Sequence, residues 1–310
     1  MPPLRIGTRG SPLALAQTEA VRRCLIARLP GPGGAEAIEI MVIKTTGDKI
    51  LDRPLAEVGG KGLFTKELDE ALLDERIDLA VHSVKDLPTW LPEGLELACT
   101  LAREDPRDVL VSRDATCIEA LPAGAVVGTA SLRRQAQLLH RRPDIKVAPL
   151  RGNVQTRLAR VASGDVDATL LALAGLRRLN LADAPIALLD TKEMLPAVGQ
   201  GAIGVTCRNS DVETRSLLAE IDHGETSLRI AAERAMLDVL DGSCRTPIAG
   251  LAEMCGSGRL RLRGLIARPD GSEMVEAMRE ASSSSARELG VAVGEELRKS
   301  GGPRFFAGEP

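Results

Sequence analysis

The chain is poor in aromatic residues and carries no strong charge of either sign. Tyrosine is absent, and one Trp and three Phe occur among 310 residues, so platforms for stacking nucleic-acid bases are nearly lacking. The 40 Lys and Arg residues stand against 43 Asp and Glu, which leaves a formal net charge of −3. An RNA-binding role for Arg133, Arg134, Arg141 and Arg142 is therefore disfavoured, and a salt-dependent shift on RNA is its test.

The six cysteines form no metal or disulfide pattern, and no apolar run is long enough to cross a membrane. No Cys-x-x-Cys pair occurs, and no histidine stands at ligand spacing, so we predict no metal site and a reducing compartment. The first seven residues have neither the apolar core nor the cleavage site of a secretory signal. We expect a cytoplasmic protein without a membrane or nucleic-acid partner. Nothing indicates a large apolar interface, which favours a monomer.

Strands and helices alternate through most of the chain, which predicts α/β domains with mostly parallel, doubly wound sheets and helices on both faces. The predicted strands are 4–8, 38–43, 79–81, 95–101, 109–111, 126–128, 146–150, 168–173 and 203–206. The predicted helices span 12–29 and 226–240, follow Ser131 and Asn153, and include the segment around Leu68 and Leu72. Residues 102–108 and 196–201 are two predicted crossovers between domains.

Three domains follow from this pattern. The first comprises residues 1–101 and 200–219, and the second comprises residues 102–199. In the third, residues 220–310, Leu260 and Leu262 alternate with Arg259, Arg261 and Arg263, which is the period of a half-buried antiparallel strand. With a last helix over residues 285–299, this indicates a small α+β domain.

Residues 45–62 interrupt the alternation. Gly47, Pro54, Gly59, Gly60 and Gly62 break a long segment that mixes charged and apolar residues. Long irregular segments inside compact domains are usually functional or disordered. Because glycines can act as hinges, we expect a lid over a binding site, with a plain surface loop as the alternative.

A polar stretch follows one of the predicted buried strands. Residues 79–81 are apolar, residues 82–86 read His-Ser-Val-Lys-Asp, and Pro88 stops regular structure. Ligands of open α/β sheets bind beyond the carboxyl ends of the strands. Lys85 and Asp86 are therefore candidate site residues. The alternative is a solvated Lys85–Asp86 pair of little energetic worth.

Three strand-to-helix turns combine arginines with residues that cap helices. Free amides at a helix N-terminus bind anions, whereas an arginine there is unfavourable for the helix dipole unless a ligand offsets its charge. We therefore expect a polyanion in a cleft between two α/β domains, with ordinary exposed helix starts as the alternative. The residues concerned are Arg9 and Ser11 in the first turn, Thr129, Ser131, Arg133 and Arg134 in the second, and Arg151, Asn153 and Arg157 in the third.

Cys244 differs from the other cysteines in its surroundings. It stands in a turn over residues 241–247, after a predicted helix and directly before Arg245. A turn cysteine next to an arginine is a candidate for covalent chemistry through an activated thiolate. A free thiol in a loop is the alternative.

These motifs together resemble the porphobilinogen deaminase (hydroxymethylbilane synthase) family over essentially the whole chain. No single motif is decisive, but their order and number make the resemblance specific. The similar segments are residues 8–14, 60–64, 82–88, 128–135, 151–157, 196–202 and 244–249.

The resemblance implies a transferase of tetrapyrrole biosynthesis. It would join four porphobilinogen molecules head to tail, release ammonia at each step, and then free hydroxymethylbilane by hydrolysis. The fold implied is a pair of domains similar to a periplasmic binding protein, plus the small third domain. A dipyrromethane cofactor, attached through Cys244, would prime the reaction, and Asp86 would be the catalytic carboxylate.

The resemblance also assigns residues to the ligands. Planar guanidinium groups suit the acetate and propionate groups of linked pyrroles better than lysine does. Contacts to the cofactor are expected from Lys85, Asp86, Thr129, Ser131, Arg133 and Arg134. Contacts to substrate and intermediates are expected from Arg9, Ser11, Lys61, Phe64, Arg151, Asn153, Arg157, Arg178 and Gln200.

A non-catalytic two-domain protein that binds anions or other solutes is the alternative function. It would share the cleft and the helix starts that bind anions. Such a protein normally needs an export signal or a fused effector domain, and the sequence shows neither. A covalently bound chromophore would exclude it.

Overall fold

A computed structural model describes residues 3–28, 37–49, 62–181, 186–240 and 246–306. The strands within these ranges are β1 (Leu4–Thr8), β2 (Ile38–Val42), β3 (Leu79–Ser83), β4 (Leu95–Thr100), β5 (Asp108–Ser112), β6 (Val126–Gly128), β7 (Lys146–Ala148), β8 (Ala168–Ala172), β9 (Ile186–Leu188), β10 (Ile203–Arg208), β11 (Ile248–Met254), β12 (Arg259–Ala267) and β13 (Met274–Ser282). The helices are α1 (Pro12–Ile26), α2 (Thr46–Lys49), α3 (Lys66–Leu73), α4 (Leu132–Arg141), α5 (Val154–Ala162), α6 (Leu173–Arg178), α7 (Val212–Ala219), α8 (Gly224–Val239) and α9 (Ala286–Gly301).

The chain divides into two compact units. The first contains the described parts of residues 1–50, 60–104 and 201–227, and the second those of residues 105–200 and 228–310. The second unit therefore includes most of the ranges that we assigned to a second and a third domain. The division into three domains stays a prediction.

The first unit is built on a five-stranded sheet in the order β2-β1-β3-β10-β4. β1 runs parallel to β2 and β3, whereas β10 is antiparallel to both of its neighbours. Leu79 and Val81 pack with α1, and Ala80 packs with α3. Since successive residues of a strand point to opposite faces, the two helices cover opposite faces of the sheet.

The second unit repeats this arrangement in the order β7-β6-β8-β5-β9. β6 is parallel to β7 and β8, and β5 is antiparallel to both of its neighbours. Leu110 shares a core with α4, while Val109 and Val111 share another with α5. The expected α/β class with doubly wound sheets is confirmed, with one antiparallel strand in each sheet.

The second unit also contains an antiparallel sheet in the order β11-β12-β13. Leu260 and Leu262 are buried beneath it with residues of α8 and α9. On the other face, Arg261 and Arg259 pair with Glu280 of β13. The alternation read from β12 is therefore confirmed, and so is the small α+β character of this region.

Several elements were absent from the sequence prediction. β9 has three residues and β13 is largely exposed, so neither has a clear apolar pattern. β11 and α7 were also missed. α1 ends at Ile26 instead of extending to residue 29.

Candidate active site

The turn after β1 is held by a helix cap. The side chain of Ser11 accepts a hydrogen bond from the amide of Ala14 at 3.2 Å, and Pro12 occupies the first turn of α1. Both features were predicted, since a proline lacks the amide that would be unpaired there. The cap fixes the point at which Arg9 leaves the sheet.

Asp86 lies one short turn beyond the central strand β3. Residues Val84–Asp86 form a 3-10 turn in which Val84 is buried, as is Leu87 directly after it. Lys85 and Asp86 are exposed. The apolar side chains thus anchor the turn and leave the Asp86 carboxylate at the surface of the first unit.

The guanidinium group of Arg9 lies between two carboxylates. Its Nε is 3.2 Å from each oxygen of Asp48, and its Nη2 donates to Asp48 Oδ1 at 2.5 Å. Its Nη1 lies 4.0 Å from Asp86 Oδ2, and its central carbon lies 4.1 Å from the ring centroid of Phe64. Burial favours a raised pKa for Asp48, but hydrogen bonds from Arg9 and Thr45 lower that pKa below its usual value. Three predicted site residues, Arg9, Phe64 and Asp86, are therefore brought together.

His82 belongs to the core and does not line this site. It is buried, and its Nε2 lies 3.0 Å from the hydroxyl of Thr206 on β10. Burial, and to a smaller extent the charge of Arg9, lower the pKa of His82 to about 3. The imidazole is therefore neutral at ordinary pH.

The predicted anion-binding turns of the second unit are capped helix starts. Ser131 accepts from the amide of Arg134 at 3.5 Å, and Thr129 accepts from the amide of Ser131 at 3.1 Å. Asn153 accepts from the amide and the hydroxyl of Thr156 at 2.8 and 2.9 Å. Both helices therefore begin with a side-chain cap after a strand, as the sequence predicted.

Arg133 and Arg134 converge on the fully buried carboxylate of Asp108. Arg133 Nη1 donates to Oδ2 at 2.7 Å, and Arg134 donates to Oδ1 through Nη2 at 2.7 Å and Nε at 3.2 Å. Burial favours a raised pKa for Asp108, but the two guanidinium groups reverse the effect and hold that pKa far below its usual value. Among the described residues, Nε of Arg133 is buried without a hydrogen-bond partner. The predicted contact of both arginines with the cofactor stays a prediction.

Gln200 completes this buried cluster. Its side-chain amide donates to the carbonyl of Pro106 at 2.7 Å and to Asp108 at 3.0 Å. The flanking Gly199 and Gly201 have φ angles of +73° and +87°, a region that other residues rarely occupy. Gln200 thus joins the second predicted crossover to the first, and its contact with substrate stays a prediction.

The remaining predicted residues are distributed as follows. Arg151, Arg157 and Arg178 are partly buried in the second unit, and Arg157 Nε donates to the carbonyl of Gly152 at 3.0 Å. Lys61 and Cys244 lie outside the described residues, as do positions 50–61 of the predicted lid.

Two functional candidates were missed in the sequence. Asp48 was read as part of an irregular loop, and Asp108 as part of a charged crossover. For Asp108, a usable signal was a carboxylate directly before the apolar run 109–111, in a chain with an arginine pair at a later helix start. For Asp48 there was no comparable signal.

The described residues were also searched for metal sites and membrane spans. In these ranges no group of three or more His, Cys, Asp or Glu side chains is placed to hold a metal ion. None of the helices described is both long and apolar enough to pass through a membrane.

Two protein-family models match the chain. The model described as "Porphobilinogen deaminase, dipyromethane cofactor binding domain" matches residues 4–216. The model described as "Porphobilinogen deaminase, C-terminal domain" matches residues 227–299. The chain belongs to the porphobilinogen deaminase family. The expected transferase function and dipyrromethane cofactor are confirmed with it.

Curated members of the porphobilinogen deaminase family are similar over nearly the full length. The chain is 55% identical over 305 residues to "Porphobilinogen deaminase" of Paracoccus denitrificans (strain Pd 1222), covering 98% of this chain and 96% of that one. It is 54% identical over 305 residues to the chloroplastic porphobilinogen deaminase of Oryza sativa subsp. japonica, covering 98% of this chain and 85% of that one. The alternative of a non-catalytic solute-binding protein is not favoured.

Similar solved structures include two periplasmic proteins. The aliphatic sulphonate binding protein SsuA from Escherichia coli gives a TM-score of 0.42 at 15% identity, covering 79% of this chain and 72% of that one. The periplasmic VFT2 domain of Bordetella pertussis BvgS gives a TM-score of 0.41 at 18% identity, covering 70% of this chain and 86% of that one. Likeness of this degree assigns no site.

Proposed function

We propose that the chain condenses porphobilinogen units at the carboxylate of Asp86, with Arg9 holding a substrate carboxylate beside it. The observation that carries this proposal is the position of the Arg9 guanidinium, with its Nη1 4.0 Å from Asp86 Oδ2. A fixed cation and an exposed carboxylate suit a substrate that has both carboxylates and a pyrrole N–H. Four such condensations, each releasing ammonia, and a final hydrolysis give the linear tetrapyrrole.

The chemical role of Asp86 follows from its charge. Loss of ammonia from porphobilinogen leaves a cation, and a carboxylate near the pyrrole N–H stabilises positive charge as it develops. The buried Val84 and Leu87 hold the turn in place, so the carboxylate is positioned before the substrate arrives. Arg9 supplies charge-assisted hydrogen bonds to a substrate carboxylate, which orient the reacting ring.

The residues of the second unit fit a polyanionic cofactor. Nε of Arg133 is a buried donor without a partner in the described part of the chain, and α4 begins beside it with Thr129 and Ser131. Donors of this kind match the carboxylates of a dipyrromethane. We assign Thr129, Ser131, Arg133 and Arg134, with Lys85 and Asp86, to its binding. When bound, the cofactor supplies the primer to which pyrrole units are added.

We assign the covalent attachment of the cofactor to Cys244. Support comes from its sequence context, with Gly242 and Ser243 before it and Arg245 after it, and from the match of residues 227–299 to the C-terminal family domain. Two of the other cysteines have different surroundings: Cys99 and Cys207 are buried in strands, and burial raises their pKa values to about 12 and about 11. A buried neutral thiol is a poor nucleophile.

The elongating chain would use the remaining predicted residues. These are Ser11, Lys61, Phe64, Arg151, Asn153, Arg157, Arg178 and Gln200. A monomeric state and a cytoplasmic location are part of this proposal and rest on the sequence.

The test compares Asp86→Asn with Asp86→Glu. The amide can accept a hydrogen bond but carries no charge, so turnover of porphobilinogen should fall about 100- to 1,000-fold. Asp86→Glu keeps the charge and should be less impaired. Asp74→Asn, at an exposed Asp74–Arg76 pair of the same unit, is the matched control. Asp86→Asn turnover within a few-fold of wild type would show that Asp86 is not the catalytic carboxylate.

A further inference from the structure

We infer that Asp48 is a positioning residue for the reaction, because it fixes the guanidinium group of Arg9 and keeps that group from closing onto Asp86. The inference deepens the proposed function, since it concerns the same site. It assigns a role to a carboxylate that lies in the segment predicted as a lid, residues 45–62, and to which the sequence assigned no chemistry.

The contact between Asp48 and Arg9 is made through one edge of the guanidinium. Nε and Nη2 both donate to the carboxylate, which prevents the planar group from turning about its own axis. The ring of Phe64 lies against the guanidinium face at 4.1 Å from its central carbon. Arg9 is therefore held by an edge and a face, and 21% of its side chain remains exposed.

Asp48 is held directly by Thr45, and its segment is held by Glu67. The hydroxyl of Thr45 donates to Asp48 Oδ2 at 2.7 Å. The amide of Thr46 donates to Glu67 Oε1 at 2.8 Å, which ties the start of α2 to α3. The carboxylate thus reaches Arg9 from an anchored segment.

The opposite end of Arg9 is the end that faces Asp86. Nη1 donates no hydrogen bond within the described residues and lies 4.0 Å from Asp86 Oδ2. Asp48 therefore occupies one edge of the guanidinium and leaves the other available to a substrate carboxylate. The distance from Nη1 to Asp86 leaves the catalytic carboxylate unmasked.

Removing the charge of Asp48 should change both the orientation of the Arg9 guanidinium and its separation from Asp86. Arg9 would lose its edge contact, and the nearest remaining carboxylate among the residues described around it is Asp86. A closer Arg9–Asp86 pair would occupy the donor meant for substrate and the carboxylate meant for the pyrrole. Among the described residues, the charged groups in contact at this point are Arg9, Asp48 and Asp86. Lys85 is next to Asp86 in the sequence, and buried His82 is neutral.

The experiment compares Asp48→Asn and Asp48→Glu with wild type as cofactor-loaded enzyme. Asp48→Asn should raise KM and lower kcat/KM for porphobilinogen about 10- to 100-fold, since a misplaced orienting group costs on that order. The acid limb of its kcat/KM profile should move to lower pH, because the uncompensated cation then pairs with the catalytic carboxylate. Asp48→Glu keeps the charge and should be closer to wild type in the kinetic constants and in the acid limb. Cofactor content, measured by intact mass, should match wild type.

Asp78→Asn is the matched control. Asp78 accepts from Nε and Nη2 of Arg5 at 3.1 and 2.6 Å, so this pair has the same geometry in the same unit. Its loss should lower stability and leave KM and the acid limb unchanged. If Asp48→Asn does not fold, Thr45→Val removes the 2.7 Å support and should produce a smaller change of the same kind.

Two results would overturn the inference. One is an Asp48→Asn enzyme with the KM and pH profile of wild type. The other is a lower KM, which would mean that Asp48 competes with substrate for Arg9. Failure of wild type to consume porphobilinogen would instead refute the proposed function, so the two failures are distinguishable.

Discussion

Replacing Asp108 with asparagine should destabilise the second unit. The loss of stability should be larger than that caused by neutralising any exposed Asp or Glu of this unit. Asp108 is 0% exposed, and Arg133 and Arg134 are 7% and 5% exposed. The substitution keeps the shape of the side chain and removes the only charge in the described cluster that offsets two guanidinium groups. Their remaining partners are carbonyl oxygens, since Arg133 donates to Leu195 and Arg134 to Leu170, each at 2.8 Å.

The expected loss follows from the cost of an unpaired buried charge. Breaking a buried ion pair by removing one partner costs about 3–5 kcal/mol, because the other charge is left without compensation. At about 1.4 kcal/mol for each tenfold change, the ratio of folded to unfolded chain falls by about two to three and a half orders of magnitude. Folding lowers the pKa of Asp108, so its contribution is fully present above the pKa of the unfolded chain and is lost only in strong acid.

The assay is urea unfolding followed by circular dichroism, with both proteins in a Cys244→Ser background. That background removes stabilisation by bound cofactor, which would otherwise add to the difference. Hydrogen exchange should locate the loss in β5, β8 and α4. Asp165→Asn, at the exposed Arg160–Asp165 pair of the same unit, is the control and should change little. The reasoning would be refuted if Asp108→Asn shifted the urea midpoint of unfolding as little as the control does.

Two further predictions concern the cofactor and pH. Cys244→Ser should remove a mass excess of two linked pyrrole units, and serine at each of the other five cysteines should not; an active wild-type protein without the excess would contradict this. The pKa of His82 is lowered from 6.5 to about 3, so only the unfolded chain binds this proton between those values. His82 should therefore lower the unfolding free energy by about 1.4 kcal/mol for each pH unit by which pH decreases through that window. His82→Gln, which can still bond to Thr206, should reduce this slope, and an unchanged slope would show that His82 is not its source.

Much of the local structure could be predicted because its causes are close in sequence. Ser11 and Pro12 start α1 where a hydroxyl and a residue without an amide are both favoured. Asn153 caps α5 in the same way. The apolar residues 79–81 begin the central strand β3, in which His82 stays buried, and Lys85 and Asp86 emerge just past its end. The candidate position of Asp86 follows from that order alone.

The tertiary structure decided which partners the charged groups have. Arg9 and Asp48 are 39 residues apart, and Arg133 and Asp108 are 25 apart, so no helical or strand period links them. In the sequence both arginines were read as donors for ligand carboxylates; in the fold each already has a carboxylate of the protein. The amino-acid sequence by itself determined where the arginines stand, because caps and strand ends are set by neighbouring residues. Which of their donors stay available was decided by the sheets and crossovers that bring distant carboxylates to them, since ion pairing depends on separation in space.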